Sequence, residues 1–201
     1  LCKEQITVEF EKELTPSSFE DWTGKNNLKT VIISPAIPWD HPTLNHLRLL
    51  GINIKSEISL AWESTKTIPW IGVTGTNGKT TVTYLINHIL EKNGYLAPMG
   101  GNMGNPASSL ALELLNKECK KPDFLVMELS SYQIESSPGI FPSIGLWTNL
   151  SEDHLERHKD LETYKAIKKS LLASSKIKIL NADDTDVSST KNEFKDAIWI
   201  S

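Results

Sequence analysis

The chain has 201 residues, 39% hydrophobic and 23% charged, an ordinary globular balance that suits one large domain or two small ones. Its net charge of -4 and pI of about 5.8 speak against a nucleic-acid footprint or a polybasic membrane patch, and no apolar run approaches the about 18 to 20 residues of a membrane helix. The two cysteines, Cys2 and Cys119, form no CxxC, so neither a disulfide framework nor a Cys-based metal site is expected, and a reducing cytosol fits best.

No secretory pattern is visible, and the start at Leu1 without Met is expected to be trimmed. Two sections follow, without internal repeats. In residues 1–66, "TVIISPAI" (Thr30 to Ile37) reads as a buried strand ended by a Ser-Pro break. "HPTLNHLRLLG" (His41 to Gly51) reads as a short helix stopped by Gly51, and "INIKS" (Ile52 to Ser56) as a strand. Strand, helix, strand in short order predicts parallel pairing.

The second section spans residues 67–201. "IPWIGVT" (Ile68 to Thr74) is a strand. Val82, Leu85, Ile86, Ile89 and Leu90 recur with helical spacing and predict one apolar helix face, stopped by Gly94. "NPASSLALELLNKECK" (Asn105 to Lys120) is a second helix, with Asn105 as its cap and Pro106 in its first turn; Cys119 reads as a helix-end bystander rather than a nucleophile. The apolar runs Asp123 to Leu129, Ser143 to Asn149, Ile177 to Asp183 and Ala197 to Ser201 suit strands of a parallel sheet buried on both faces. "LETYKAIKKSLLASS" (Leu161 to Ser175) is a helix with Tyr164, Ile167, Leu171 and Leu172 inward. The alternation predicts an α/β layered fold.

The chemistry concentrates in "GVTGTNGKTT". Glycines at 72, 75 and 78 free backbone N–H groups to face a ligand, and the helix starting near Lys79 adds its positive dipole end. Lys79 supplies a point charge for terminal phosphates, and Thr80 a hydroxyl for magnesium, with Thr81 as the alternate. The loop is a variant: the position five before the G of GK is Val73 rather than glycine. Glu128, after "FLVM", is placed to emerge at the carboxyl end of a strand, where it either holds Mg²⁺ or is an ordinary solvated glutamate. His154, in "TNLSEDHLERH", either ligates a metal or lies on an exposed helix turn, the commoner case for a lone histidine. His41, His46, His88 and His158 belong to no constellation and read as structural or solvated. Lys165, Lys168 and Lys169 share one helix, a solvated basic face on the bland reading, with partial burial of Lys168 the other. The Gly-rich turn "GGNMGNP" can bring backbone or Asn102 close to a ligand.

Together "GVTGTNGKTT", "GGNMGNP", "MELSSYQIE", "TNLSEDHLERH", "TYKAIKKS" and "LNADD" resemble the Mur ligase family. The family's members are ATP-dependent amide-bond-forming ligases of bacterial peptidoglycan precursor synthesis. The glycine loop alone also recurs in folylpolyglutamate synthases. "ELSSYQ" after "GGNMG", with "SPAI" similar to a "SPGI" segment (Ala36 replacing Gly), is more specific. It resembles the members that add D-glutamate to UDP-N-acetylmuramoyl-L-alanine.

The resemblance implies a partial Rossmann-like UDP-substrate domain at 1–66, then an incomplete P-loop-type, mostly parallel central ATPase domain at 67–201; the third, amino-acid-binding domain is expected to lie elsewhere. By motif, Gly75, Thr76, Asn77, Gly78, Lys79, Thr80 and Thr81 would bind ATP. Thr80, Glu128, His154 and Lys168 would serve two Mg²⁺ sites, and Asn102 and Ser130 the muramoyl substrate. Lys168 would be carbamylated by CO₂, because a carbamate, unlike an ammonium, is an anionic oxygen ligand; the motif alignment selects Lys168 over its neighbour Lys169. Catalysis would rest on Lys79, Lys168 and His154 through an acyl phosphate. The implied protein is a cytoplasmic bacterial monomer needing neither nucleic acid nor membrane. A folate ligase, or a nucleotide-binding module without turnover, stands as the alternative, the second above all for this stretch alone.

Overall fold

In the computed structural model, the residues described are 13–20, 28–116 and 120–201. Cys2, Cys119 and the 117–119 stretch of the expected second helix lie outside them. After a 3₁₀ turn at Pro16–Phe19, β1 (Thr30–Ile33), α1 (Pro42–Leu49) and β2 (Asn53–Ser56) form the expected unit, with β1 and β2 paired in parallel. The His41 ring caps α1, its Nδ1 accepting from the Thr43 amide at 3.2 Å. Past the helix end, Gly51 takes φ +78°, a left-handed turn that a side chain would resist. Ile33, Leu44, Leu47 and Ile52 close a small core around this unit.

A helix that the sequence did not announce follows directly. α2 (Glu57–Thr65) is capped by Ser56, whose Oγ accepts from the Ser59 amide. Its Ile58 and Ala61 enter the larger core rather than the small one, and Trp62 meets Trp70 edge-on at 5.2 Å.

That larger core is built on a second sheet: β3 (Trp70–Thr74), β4 (Met99–Gly101), β5 (Leu125–Glu128), β6 (Ile144–Trp147), β7 (Ile177–Asn181) and β8 (Ile198–Ile200). Their spatial order is β4-β5-β3-β6-β7-β8, and every pairing is parallel. The helices are α3 (Lys79–Lys92), α4 (Ala107–Leu115), α5 (Ser131–Glu135), α6 (Leu155–His158), α7 (Leu161–Ser174) and α8 (Thr185–Ser188). From β3 the chain crosses to the edge at β4, returns through β5, then passes β3 to reach β6. The carboxyl end of β3 therefore lies at a topological switch point, flanked by the ends of β5 and β6.

One face of the sheet carries Trp70, Leu125, Met127, Trp147 and Leu180 against α2, α4 and α7. The opposite face rests on α3, with Ile86 and Leu90 against Ile71, Val126 and Ile144. Two expectations change here. α4 begins at Ala107 with Pro106 at its cap position and no side-chain cap, so Asn105 does not serve. On α3 the expected inward stripe is split, with Leu85 50% and Ile89 58% exposed. The rotation is set by Asn87, whose Nδ2 donates to the Ala97 carbonyl at 2.8 Å in the buried seam. Among the described residues no helix is long and apolar enough to cross a membrane.

Candidate phosphate site at the switch point

β3 ends at Thr74 and α3 begins at Lys79, so the loop between them is only four residues long. Gly78 caps α3 at φ +75°, a left-handed conformation that lets the helix start at once. Gly75 is required for close approach: a Cβ there would strike the Thr148 side chain at the end of β6. Gly72 differs from the expectation. It sits inside β3, packed toward Leu129, Pro142 and Leu171, and serves the core rather than the loop. The first-turn amides of α3 are the orphan donors that every helix start leaves, at the positive end of its dipole.

The loop is braced from β6 by a residue that motif reading did not single out. Asn149 Oδ1 accepts from the amides of Thr76 (3.1 Å) and Asn77 (2.8 Å), and its Nδ2 donates to the Asn77 carbonyl (3.0 Å). Thr148 Oγ donates to that same carbonyl at 2.9 Å. Thr76 Oγ donates to the Ser151 carbonyl and accepts from the Ser151 amide. Lys79 Nζ donates to the Thr76 carbonyl at 2.8 Å, so the lysine lies over its own loop. Thr80 and Thr81 are exposed at the start of α3.

Beside the loop stands a buried acid. Glu128, the last residue of β5, is 2% exposed, which removes the solvated-glutamate reading. One carboxylate oxygen accepts from Asn102 Nδ2 at 3.0 Å; the other, Oε2, is buried with no protein partner. A buried carboxylate oxygen left bare is costly, and a bound cation would relieve that cost. Asn102 also donates its amide to the Glu128 carbonyl at 2.8 Å, tying the Gly-rich turn after β4 to this acid. Ser130 caps α5 in a reciprocal box with Gln133, so its hydroxyl is engaged by its own helix.

α7 delivers the lysine. Tyr164, Leu171 and Leu172 point inward as expected, and Lys168 joins them at 1% exposure. Its Nζ donates to the Gly75 carbonyl at 2.8 Å and lies 4.4 Å from the Tyr164 ring centroid. Burial, and secondarily the Lys79 charge, lower its pKa to about 7. Lys169 instead meets Glu193 at 2.6 Å on the outer face, and Lys165 donates to Ser189 Oγ, so the bland reading holds for these two alone. The Tyr164 hydroxyl reaches 3.4 Å from Thr76 Oγ, linking α7 to the loop.

His154 begins α6, a single turn bounded by two left-handed residues, His154 (φ 53°) and Lys159 (φ 70°). Its ring is partly exposed, 5.1 Å from Tyr132 and 3.4 Å from an Asp153 oxygen. His158 is 2% exposed, hydrogen-bonded through Nε2 to Ser131 Oγ and stacked on Tyr164, which fits its structural reading. Burial lowers its pKa. Among the described residues no group of three or more His, Cys, Asp or Glu side chains forms a ready-made metal cage.

The parallel sheet, the braced glycine loop at its switch point and the buried acid beside it define an α/β domain of the phosphate-loop kind. Residues 73–199 match the family model of the Mur ligase middle domain, and the chain belongs to that family. The UDP-N-acetylmuramoylalanine–D-glutamate ligase of Synechococcus sp. (strain CC9902) is 54% identical over 200 residues, which cover 100% of this chain and 43% of that protein. The chain thus spans less than half the length of such relatives. Among solved structures, the MurF ligase of Thermotoga maritima in complex with ADP aligns with a TM-score of 0.55 at 19% identity, covering 87% of this chain and 48% of that one. An FPGS–AMPPCP complex aligns at 0.51 and 16% identity, covering 72% and 49%. Those two similarities establish the fold alone.

Proposed function

We propose that this chain is the ATP-binding core, with part of the substrate-binding section (residues 1–66 against 67–201), of a ligase that joins D-glutamate to UDP-N-acetylmuramoyl-L-alanine. The observation that carries the reading is that Lys79 and buried Lys168 both donate to carbonyls of one loop, while bare Glu128 ends the strand paired with β3 beside it. The extent of identity to the D-glutamate ligase supports the choice of substrates and disfavours a folate ligase. The setting is the bacterial cytoplasm, and the product feeds cell-wall assembly and hence cell shape and division; the protein acts as a monomer.

In the first step an oxygen of the alanyl carboxylate attacks the γ-phosphorus of ATP and ADP leaves, giving an acyl phosphate. The D-glutamate amine then attacks that carbonyl carbon, inorganic phosphate leaves, and the nitrogen loses a proton as the amide forms. The chain contributes position and charge. Lys79 exchanges the Thr76 carbonyl for the β- and γ-phosphates, and the orphan amides of α3 face the same anion. Thr76, Asn77 and the glycines hold the loop's shape around it, with Thr81 the alternate hydroxyl. Asn102 and Ser130 would contact the muramoyl group.

Glu128 and Thr80 would hold one Mg²⁺ together with phosphate oxygens, a donor set in keeping with magnesium's preference for one or two carboxylates plus substrate. His154 and a carbamate on Lys168 would hold the second. Magnesium, when bound, neutralises charge on the transferring phosphoryl group. Carbamylation requires the free amine, and a pKa of about 7 keeps much of Lys168 neutral at neutral pH.

Lys79→Ala in the complete protein is expected to lower substrate-dependent phosphate release by about a thousandfold or more. Turnover near the wild-type rate would remove Lys79 from the mechanism. The 201-residue chain by itself is expected to release no phosphate, with or without D-glutamate.

A further inference from the structure

The geometry points to Arg157 as a positioning residue that fixes the Ser34–Ile37 loop of the first section against the metal-side histidine of the second. Its guanidinium donates to the Ala36 carbonyl (3.2 Å), the Ile37 carbonyl (3.1 Å) and Glu135 Oε2 (2.9 Å), and lies 5.4 Å from the Tyr132 ring centroid. The side chain is only 14% exposed, and its carboxylate partner 24%. A surface ion pair does little, but a largely buried planar fork spread over three acceptors and a ring fixes direction as well as distance.

What the fork holds gives it a part in the chemistry. On one side is the turn "SPAI", tightened by Ile37 N to the Ser34 carbonyl (3.0 Å) and Ala36 N to Ser34 Oγ (3.3 Å). From its own section the loop is gripped a second time, by Arg48 Nη2 on the Trp39 carbonyl at 2.9 Å. On the other side is α6, too short to hold itself: one turn between left-handed His154 and Lys159. Arg157 lies in that turn, three residues after His154. One side chain thus ties α6 to the Glu135 end of α5 and ties both to the loop. A separate buried contact, Ser56 Oγ to Ser137 Oγ at 2.7 Å, joins the two sections elsewhere, so loss of Arg157 frees the loop without undocking the section.

The consequence concerns the substrate. The inference rests on the function proposed above, in which the first section holds the nucleotide end of the UDP-linked substrate and the second activates its far carboxylate. The fork then sets the distance between the two ends. A loosened fork leaves the loop that seats the nucleotide end unfixed, so the UDP-linked substrate binds more weakly, whereas ATP, bound on the glycine loop, is unaffected.

The test uses the complete ligase as wild type, Arg157→Ala and Arg157→Lys. In both variants KM for the UDP-muramoyl substrate is expected to rise about tenfold or more, with KM for ATP within about twofold. Guanidinium ion added at millimolar concentration should restore part of the loss in Arg157→Ala but not in Arg157→Lys, where the ammonium occupies the space. Independently of activity, hydrogen exchange at the Ala36, Ile37 and Trp39 amides should accelerate in both variants while that of the β3 amides stays fixed. Equal rises in the two KM values, or unchanged loop exchange, overturn the assignment. A wild-type enzyme that ignores the UDP-muramoyl substrate would sink the proposed function, while loop exchange would still report on the fork.

Discussion

Keeping Lys168 in the protein interior links stability to pH. Its folded pKa lies near 7, below the ordinary lysine value, so between about pH 7 and 10.5 the unfolded chain binds the extra proton. Stability contributed by this site therefore rises with pH across that window; below pH 7 the full cost of burying the amine persists. Lys168→Met removes the titration. In bicarbonate-free buffer its stability advantage over wild type should shrink by on the order of 3 kcal/mol between pH 7 and 9.5, at 1.36 kcal/mol per unit. Thermal melts at both pH values read this as a convergence of roughly 6–12 °C; parallel curves would mean that the amine titrates normally. The neighbouring prediction concerns Asn149. Asn149→Ala deletes three side-chain hydrogen bonds to the glycine loop, each worth about 1 kcal/mol. ATP affinity in the complete protein should fall about ten- to a hundredfold by calorimetry, with KM for D-glutamate steady. An unchanged ATP affinity would show that the loop holds its shape alone. The contrast between these two residues also shows what a sequence can disclose. The loop carrying Lys79 is legible because its spacing is local, and Glu128 because an apolar run ends on it. Asn149 follows an apolar run just as clearly, but its partner is set by β6 lying beside β3, a fact of strand order that no local spacing carries.

At the scale of elements the same distinction recurs. α1, α3, α7 and the strands β3 and β5 to β8 were legible, because each pairs a clear apolar period with a glycine, proline or polar stop. α2 was not: it follows β2 with no loop, and the alternation of "INIKS" masks the cap that Ser56 provides. α5 is a five-residue helix whose start is written in a Ser-x-x-Gln box, too short for periodicity to register. β4 is three residues of Met-Gly-Gly, which reads as a turn and becomes a strand only because β5 offers it a ladder. Packing between elements then sets the tolerances. α7 lies so close on β6 that a Cβ at Gly145 would run into the Ser175 side chain and press on Leu172. Gly145→Ala is therefore expected to cost about 1–3 kcal/mol through overpacking, seen as a lower urea midpoint with an unchanged slope. A neutral result would show that α7 can retreat from the sheet without loss.

Among the described residues, the strands expected to be covered on both faces are so covered only in the half of the sheet around β3 and β5. Right-handed crossovers explain the asymmetry. Steps from β5 to β6, β7 and β8 run in one direction and place their helices on one face, while the single step from β3 back to β4 places α3 on the other. The second face of β6 to β8 is left with Ile177 (43% exposed), Ile198 (53%) and Ile200 (49%), and Leu85 and Ile89 of α3 are exposed as well. Apolar area on that scale should bind a hydrophobic reporter dye and promote self-association in the 201-residue chain. The two faces then make opposite predictions. Replacing Ile177 and Ile198 together by Thr keeps β-branching and removes little buried contact, so dye fluorescence should drop while the melting midpoint moves by only a few degrees. Trp147 sits on the covered face with no exposure, and its indole N–H donates to the Asn149 carbonyl at 3.0 Å. Trp147→Ala should cost about 3–5 kcal/mol and also disturb the brace on the glycine loop, so nucleotide affinity should fall with stability. If the double Thr variant melts as early as Trp147→Ala, the face is covered after all. The division of labour between a load-carrying face that shapes the site and a bare one would then be wrong.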